Sequence, residues 1–266
     1  MVASDTAFAG SIPEFYDRCL GPFLFEPYAE DLASRARALQ PRRILETAAG
    51  TGIVTAALAR ALPDSEIVAT DLNPDMLRVA RAKVDSPRIA FATADAQSLA
   101  FADSGFDLVV CQFGAMFFPD RVTAYREARR VLRPGGALLF NVWDRLEANP
   151  ASEAVAGAVA ALCPDDPPGF LSRVPFGYHD KARIEADLRA AGFASVESAT
   201  VAKRSRGSAR DLGPGLCQGS PLRAEIEARA PERLEEATAA ALEALVRRCG
   251  DPVDNVMSAH VFTARN

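Results

Sequence analysis

Histidine is nearly missing from this chain. His179 and His260 are the two present in 266 residues. No multi-histidine metal centre can be built from them. No grouping of His, Asp, Glu or Cys shows metal-ligand spacing either, so no metal is expected. The five cysteines, Cys19, Cys111, Cys163, Cys217 and Cys249, are far apart and form no Cys-x-x-Cys. That pattern fits reduced thiols rather than a disulfide frame or a zinc site. No stretch approaches the roughly 20 apolar residues of a membrane helix. Met1 to Gly10 shows neither the basic nor the apolar segment of a secretory signal. Positive charge is not in excess, since the formal net charge is −5. An acidic surface argues against nucleic acid or an anionic membrane as partner. These absences point to a cytoplasmic protein. The chain is 49% hydrophobic and 24% charged, which is ordinary for a globular protein. Its length suits one large α/β domain across residues 1–266. No internal repeat is present.

The stretch from Arg42 to Asp71 organises the rest. Ile44 and Leu45 begin a short apolar strand that Glu46 ends. Ala48 to Gly52 are small turn residues, and Ile53 to Leu62 continue at helical spacing. A second strand, Glu-Ile-Val-Ala-Thr, ends in Asp71. Strand, glycine turn, helix and a second strand ending in an acid make half of a doubly wound nucleotide-binding sheet. Gly50 and Gly52 let the backbone approach a ligand where a Cβ would clash. Asp71 lies about 20 residues on, where a carboxylate can accept from both ribose hydroxyls. A dinucleotide would favour Gly-x-Gly-x-x-Gly, but Thr55 stands at the third position. Glu46 at the mouth of the turn would repel a pyrophosphate and suits a ligand with an ammonium or sulfonium charge.

Glu46-Thr-Ala-Ala-Gly-Thr-Gly resembles the first motif of class I S-adenosylmethionine (SAM) dependent methyltransferases, with Ala48 where that motif has its first glycine. Leu132-Arg-Pro-Gly-Gly before an apolar strand resembles a later motif of the same family. The likeness covers about Tyr16 to Asp144 and is of the ubiquinone/menaquinone-biosynthesis type of small-molecule methyltransferase. It implies a Rossmann-like α/β fold, a doubly wound seven-stranded, mostly parallel sheet whose last strand is antiparallel. It implies SAM as cofactor, with methyl moved by an in-line SN2 displacement to a small, partly hydrophobic acceptor. Two other functions stay open: a non-catalytic SAM-binding protein and an NAD-dependent oxidoreductase.

The resemblance also places site residues. In the first motif these are Glu46, Ala48, Gly50 and Gly52. Asp71, Leu72 and Met76 follow the second strand. Asp95, Ala96 and Gln97 lie after a third strand, Arg88 to Thr93. There an Asp-Ala pair would bracket adenine, or Asp95 would cap the turn. Gln112 and Phe113 end a fourth strand that begins at Phe106. Tyr16, in an N-terminal helix from Ser11 to Leu20, would supply a lid contact or simply pack. Phe113, Met116, Phe117 and Phe118 read as acceptor lining or as core. His179 is the candidate for a general base, with helix capping or simple surface exposure as the alternative, and His260 reads as structural.

Several features lie outside that likeness. Asp166-Pro-Pro-Gly is misplaced for the Asp-Pro-Pro-aromatic loop of nucleic-acid amino-methyltransferases. Lys203-Arg-Ser-Arg206 reads as a solvated strand end. A SAM-binding core is expected over about 40–145, with helical cap segments over 146–180 and 204–252. The second cap segment separates a sixth strand, Phe193 to Lys203, from a seventh, Asn255 to Ala264. It is expected to carry two helices, Pro221–Ala230 and Pro231–Gly250, with glycine hinges at Gly213, Gly215 and Gly219. The same helices would serve a homodimer interface in the alternative reading.

Overall fold

The computed structural model describes residues 12–266. The expected Ser11 cap and the leader reading of Met1 to Gly10 lie outside the described residues. A seven-stranded sheet runs through the molecule. Its strands are β1 (Arg43–Glu46), β2 (Glu66–Asp71), β3 (Ile89–Thr93), β4 (Phe106–Gln112), β5 (Leu132–Trp143), β6 (Ser195–Gly207) and β7 (Val253–Arg265). The spatial order is β3-β2-β1-β4-β5-β7-β6. The first five strands pair in parallel, and β7 runs antiparallel to both neighbours.

The sequence explains the centre. Leu108, Val109, Val110 and Cys111 of β4 are all buried, as are Ile44, Leu45 and Glu46 of β1. A parallel strand covered by helices on both faces must be apolar on both. The strand order reverses between β1 and β4, so a crevice opens there at the carboxyl ends of the strands. Within β5 the register jumps: Leu132 pairs with Phe106, and the next pair is Ala137 with Leu108. Arg133 to Gly136 are thereby looped out, and Gly135 takes the left-handed φ of 78° that the turn needs.

Helices flank the sheet: α1 (Ile12–Leu20), α2 (Glu26–Leu39), α3 (Ile53–Ala61), α4 (Pro74–Lys83), α5 (Arg121–Val131), α6 (Pro150–Leu162), the one-turn α7 (Phe170–Arg173) and α8 (Lys181–Ala190). The first α-helix ends at Leu20, before Gly21-Pro22, as the sequence suggests, but the chain does not leave helical geometry there. A π-helical turn over Gly21–Phe25 carries the chain into α2, with the Glu26 N–H bonded to the Gly21 carbonyl. Pro22 lacks an N–H, and the wider turn accommodates that gap. Asn73 and Asp120 cap α4 and α5 by accepting from Asp75 N and Thr123 N.

The late insertion departs from its expected form in two ways. β6 runs to Gly207, so the connecting segment begins at Ser208 rather than at residue 204. It holds three helices, α9 (Ala209–Gln218), α10 (Leu222–Arg229) and α11 (Leu234–Cys249). Helix α9 was hidden by Gly213-Pro214-Gly215, which reads as a breaker. Ser208 caps it, and Leu212, Leu216 and Cys217 are buried along it. Two of these glycines, Gly215 and Gly219, are small because neighbours pack on them. A Cβ on Gly215 would lie 2.6 Å from Leu20 Cδ2 and 2.9 Å from Cys19 Cβ. On Gly219 it would lie 2.9 Å from Phe15. Helix α9 thus lies directly on α1. Gly215→Ala is expected to cost about 1–3 kcal/mol, as overpacking does. Urea denaturation followed by circular dichroism measures it, and an unchanged midpoint would restore the hinge reading.

Candidate functional site

A cavity of about 740 Å³ opens at the carboxyl ends of the five parallel strands. Its wall takes Ala48 and Gly50 after β1, Asp71 and Leu72 at β2, Ala94 to Gln97 after β3, Gln112 to Gly114 at β4, and Trp143 at β5. Of the residues expected from sequence, Tyr16, Ala48, Gly50, Asp71, Leu72, Met76, Asp95, Ala96, Gln97, Gln112 and Phe113 all line it. Glu46, Gly52 and His179 do not.

The polar end is built by short backbone-to-carboxylate bonds. Asp71 accepts from Gly50 N and Asn73 N, both at 2.8 Å. One side chain therefore ties the turn after β1 to the loop after β2. Burial raises the Asp71 carboxyl above its ordinary value, and the backbone donors at Asn73 and Gly50 oppose that rise. Asp95 accepts from Gln97 N at 2.8 Å, so it holds its own turn while lining the cavity. Gln97 Oε1 accepts from Asp120 N and links this turn to α5. Leu72 is 60% exposed at the rim, an unusual place for a large apolar side chain. Gln112 donates to the Phe25 carbonyl, and its buried Oε1 has no partner among the described residues. An orphaned buried acceptor in a cavity wall suits a ligand donor.

Three expected residues do other work. Glu46 is 1% exposed and accepts from Thr55 Oγ1 at 2.7 Å, behind the turn rather than in the wall. It fastens β1 to α3. Gly52, at φ 78°, would place a Cβ 2.8 Å from Ala80 Cβ, so it is small to let α4 pack. A Cβ on Gly50, at φ 56°, meets nothing within 4 Å. Of the two glycines, Gly50 is the one open to a guest. His179 is half-buried and not in the wall itself; its Nδ1 bonds the carbonyl of Phe176, a wall residue, at 2.8 Å.

Burial pushes the Glu46 carboxyl up to about 8 from the usual 4.5, against the opposing Thr55 bond. Below 4.5 the carboxyl is protonated in both folded and unfolded chains. Between 4.5 and about 8 the folded chain keeps a proton that the unfolded chain has lost. Unfolding then releases a proton, so stability falls as pH rises through that window. Glu46→Gln, neutral at every pH and still able to accept from Thr55, is expected to lessen that fall by a few kcal/mol, at about 1.4 kcal/mol per pKa unit. Urea midpoints at pH 5 and pH 8 check it; parallel pH profiles for the two proteins would refute the buried-acid assignment.

The other end of the cavity is apolar and aromatic. Phe113 and Trp143 stack with centroids 3.8 Å apart and planes 8° apart, and Tyr28 packs edge-on against both. Phe113 sits at φ 49°, a left-handed conformation rare for a bulky residue. Its N–H is held by Asn141 Oδ1 at 3.0 Å and by the Asn141 carbonyl at 3.2 Å. Met116 is buried, while Phe117 and Phe118 are half-buried, and all three line the cavity as well as packing the core. Ala48 is likewise left-handed at φ 53°, in the place where the resembling motif has glycine. Residues of the cap segments complete the wall, among them Phe170 and Phe176 from 146–180 and Leu216 from the late insertion.

Sequence reasoning missed Gly114, Asn141, Trp143 and Ser152. A Cβ on Gly114 would lie 2.5 Å from Ala48 Cβ, so the two strand-end turns interlock. Trp143, the single tryptophan, had one signal: it closes β5 at the sheet's carboxyl edge. Among the described residues no helix is long and apolar enough to cross a membrane.

Residues 44–136 match the family model described as "Methyltransferase domain". A demethylmenaquinone methyltransferase of Deinococcus radiodurans is 39% identical over 132 residues, 49% of this chain and 53% of that protein. One from Clavibacter sepedonicus is 34% identical over 174 residues, 60% of this chain and 70% of that protein. The chain spans about half the length of the curated relatives it matches, and more of the Clavibacter protein. Among solved structures, Haemonchus contortus phosphoethanolamine N-methyltransferase 2 superposes with a TM-score of 0.63 at 17% identity, covering 100% of this chain and 60% of that one. That likeness concerns the fold alone, at a sequence distance where substrates diverge. With a relative matched over 70% of its length and the family model lying across the cavity's cofactor end, this chain belongs to the class I SAM-dependent methyltransferases, of the ubiquinone/menaquinone-biosynthesis type.

Proposed function

We propose that this protein is a methyltransferase that binds SAM across the carboxyl ends of β1, β2, β3 and β4 and methylates a small, largely apolar molecule. The observation that carries the reading is a cavity lined by both polar and aromatic groups. Asp71, Asp95 and the orphaned Gln112 Oε1 line it together with Phe113, Trp143, Phe170 and Phe176. The residues present fit the cofactor. Asp71 stands at a strand end where ribose hydroxyls can donate to it, and the open Gly50 backbone lets a ligand come close. The pair Asp95 and Ala96 offers a carboxylate beside a small residue, suited to adenine with its amino group. Tyr16, half-buried and stacked on Phe25 with centroids 4.9 Å apart, roofs the cavity from α1.

When bound, SAM supplies a methyl group activated by its sulfonium charge. What this chain contributes is position and dryness. The aromatic wall orders a flat acceptor and keeps water away, which is the larger part of what such a transfer needs from a protein. The relatives named for demethylmenaquinone make a quinone-derived acceptor the first to test. His179 is set aside as base, because it lies outside the wall.

The test is isothermal calorimetry with SAM, S-adenosylhomocysteine and NAD, followed by acceptor screening read by S-adenosylhomocysteine release. Binding of SAM with turnover on a phenol, amine or reduced quinone supports the reading. Binding without turnover on any acceptor favours a non-catalytic SAM-binding protein. Binding of NAD in place of SAM overturns the reading.

A further inference from the structure

The apolar end of the cavity contains one hydroxyl with nothing to do. Ser152 is 4% exposed and lines the wall, yet makes no hydrogen bond with any described residue. The other serine on this wall is committed. Ser220 Oγ donates to the Leu216 carbonyl at 2.6 Å and receives from Leu222 N. A buried hydroxyl left without a partner costs free energy unless a guest completes it.

The placement of Ser152 adds a second reason. It is the third residue of the thirteen-residue helix α6. Pro150 opens the helix and has no N–H. The Asn149 side chain does not cap it, being spent on Ser258 and on the carbonyls of Asp144 and Arg145. The N–H groups of Ala151 and Ser152 have no acceptor among the described residues. The uncapped end of a helix carries a partial positive charge that favours a negative or partly negative atom beside it. The wall also takes Phe170, Leu171, Phe176 and Trp143, and among the described residues it holds no lysine, arginine or histidine.

We propose that Ser152 orients the acceptor: its hydroxyl, backed by the first turn of α6, donates to an oxygen of an otherwise apolar ring compound. The guest carries no net negative charge, because no described lysine or arginine in the wall would balance an anion. It is ring-shaped and flat, to suit a wall that carries the stacked Phe113–Trp143 pair. It bears a hydroxyl or carbonyl oxygen, because Ser152 has a proton to give. Ser152 is a specificity-determining residue rather than a base, since a serine hydroxyl without a neighbouring base does not take up a proton. The inference rests on the methyltransferase reading for what the guest is, but its test does not.

The test pairs two probes that differ by one oxygen, 2-naphthol and naphthalene, with wild type and Ser152→Ala. Binding is measured by equilibrium dialysis at pH 7, with and without S-adenosylhomocysteine. Wild type is expected to hold 2-naphthol about five- to tenfold more tightly than naphthalene, the factor of one neutral hydrogen bond. In Ser152→Ala that preference falls to within about twofold, while naphthalene affinity is unchanged. Ser152→Thr, which keeps the hydroxyl, restores it. A preference that survives in Ser152→Ala, or a wild type that shows none, overturns the proposal. Should Ser152→Ala fail to fold by circular dichroism, Ser152→Cys fills the same space with a far weaker donor and must show the same fall. Loss of S-adenosylhomocysteine binding by wild type would speak against the cofactor reading alone, because the probe ratio is read without it as well.

Discussion

Replacing Asp71 with alanine is expected to weaken SAM binding by about 30- to 1000-fold, or roughly 2–4 kcal/mol. Two losses combine. The carboxylate that would take the ribose hydroxyls is gone, and hydrogen bonds to charged groups are worth about 1.5–3 kcal/mol. The turn itself also loosens, because Gly50 N and Asn73 N lose their acceptor. Folding stability should change far less than affinity. Two backbone N–H groups lose a partner, but a carboxylate that burial disfavours in its charged form is removed as well. The measurement is calorimetric titration with SAM well below the melting temperature, beside a urea curve for each protein. Wild-type affinity in Asp71→Ala would end the ribose assignment. A loss of stability as large as the loss of affinity would make Asp71 a turn residue and nothing more.

Asp71 also shows why part of this site could be read in advance. It stands at the end of an apolar strand, a fixed distance from a glycine turn, and the backbone alone determines where that position falls. The same holds for Ala48, Gly50, Asp95 and Gln112. All sit at carboxyl ends of parallel strands, and strand ends are legible from hydrophobic runs and the turns that stop them. Glu46 shows the limit. Its position is at the mouth of the turn, but its side chain turns inward to Thr55. Side-chain direction depends on which face of β1 is covered, and sequence spacing does not carry that. The apolar end was less legible still. Trp143, Phe170 and Phe176 meet because segments far apart in the chain fold over the sheet, and no local pattern encodes such a meeting. Helix α9 failed for a different reason. Its Gly-Pro-Gly core has poor helix propensity, and it is held by burial of Leu212, Leu216 and Cys217 against neighbours that the local sequence does not name.

The two glycines of the turn should separate cleanly when substituted, and in opposite directions. Gly52→Ala is expected to destabilise the fold by about 3 kcal/mol or more. Its Cβ would stand 2.8 Å from Ala80 Cβ and 3.1 Å from Ala80 Cα, on two helices that cannot both keep their places. The φ of 78° adds strain of about 1–2 kcal/mol for any residue with a Cβ. Yet Gly52 is not in the cavity wall, so whatever fraction stays folded should bind SAM with nearly ordinary affinity. Gly50→Val reverses this. A Cβ there meets nothing within 4 Å, so the fold loses only the left-handed strain at φ 56°. The branched side chain instead stands in the cavity, where the backbone is meant to meet its ligand, and SAM binding should fall below detection. Thermal unfolding with and without SAM reads both effects at once, because a ligand raises the melting temperature only of a protein that binds it. Gly52→Ala should melt early and still respond to SAM; Gly50→Val should melt a few degrees below wild type, from the left-handed strain alone, and not respond. If Gly50→Val responds normally, the turn is not the cofactor loop, whatever the strand order around it implies.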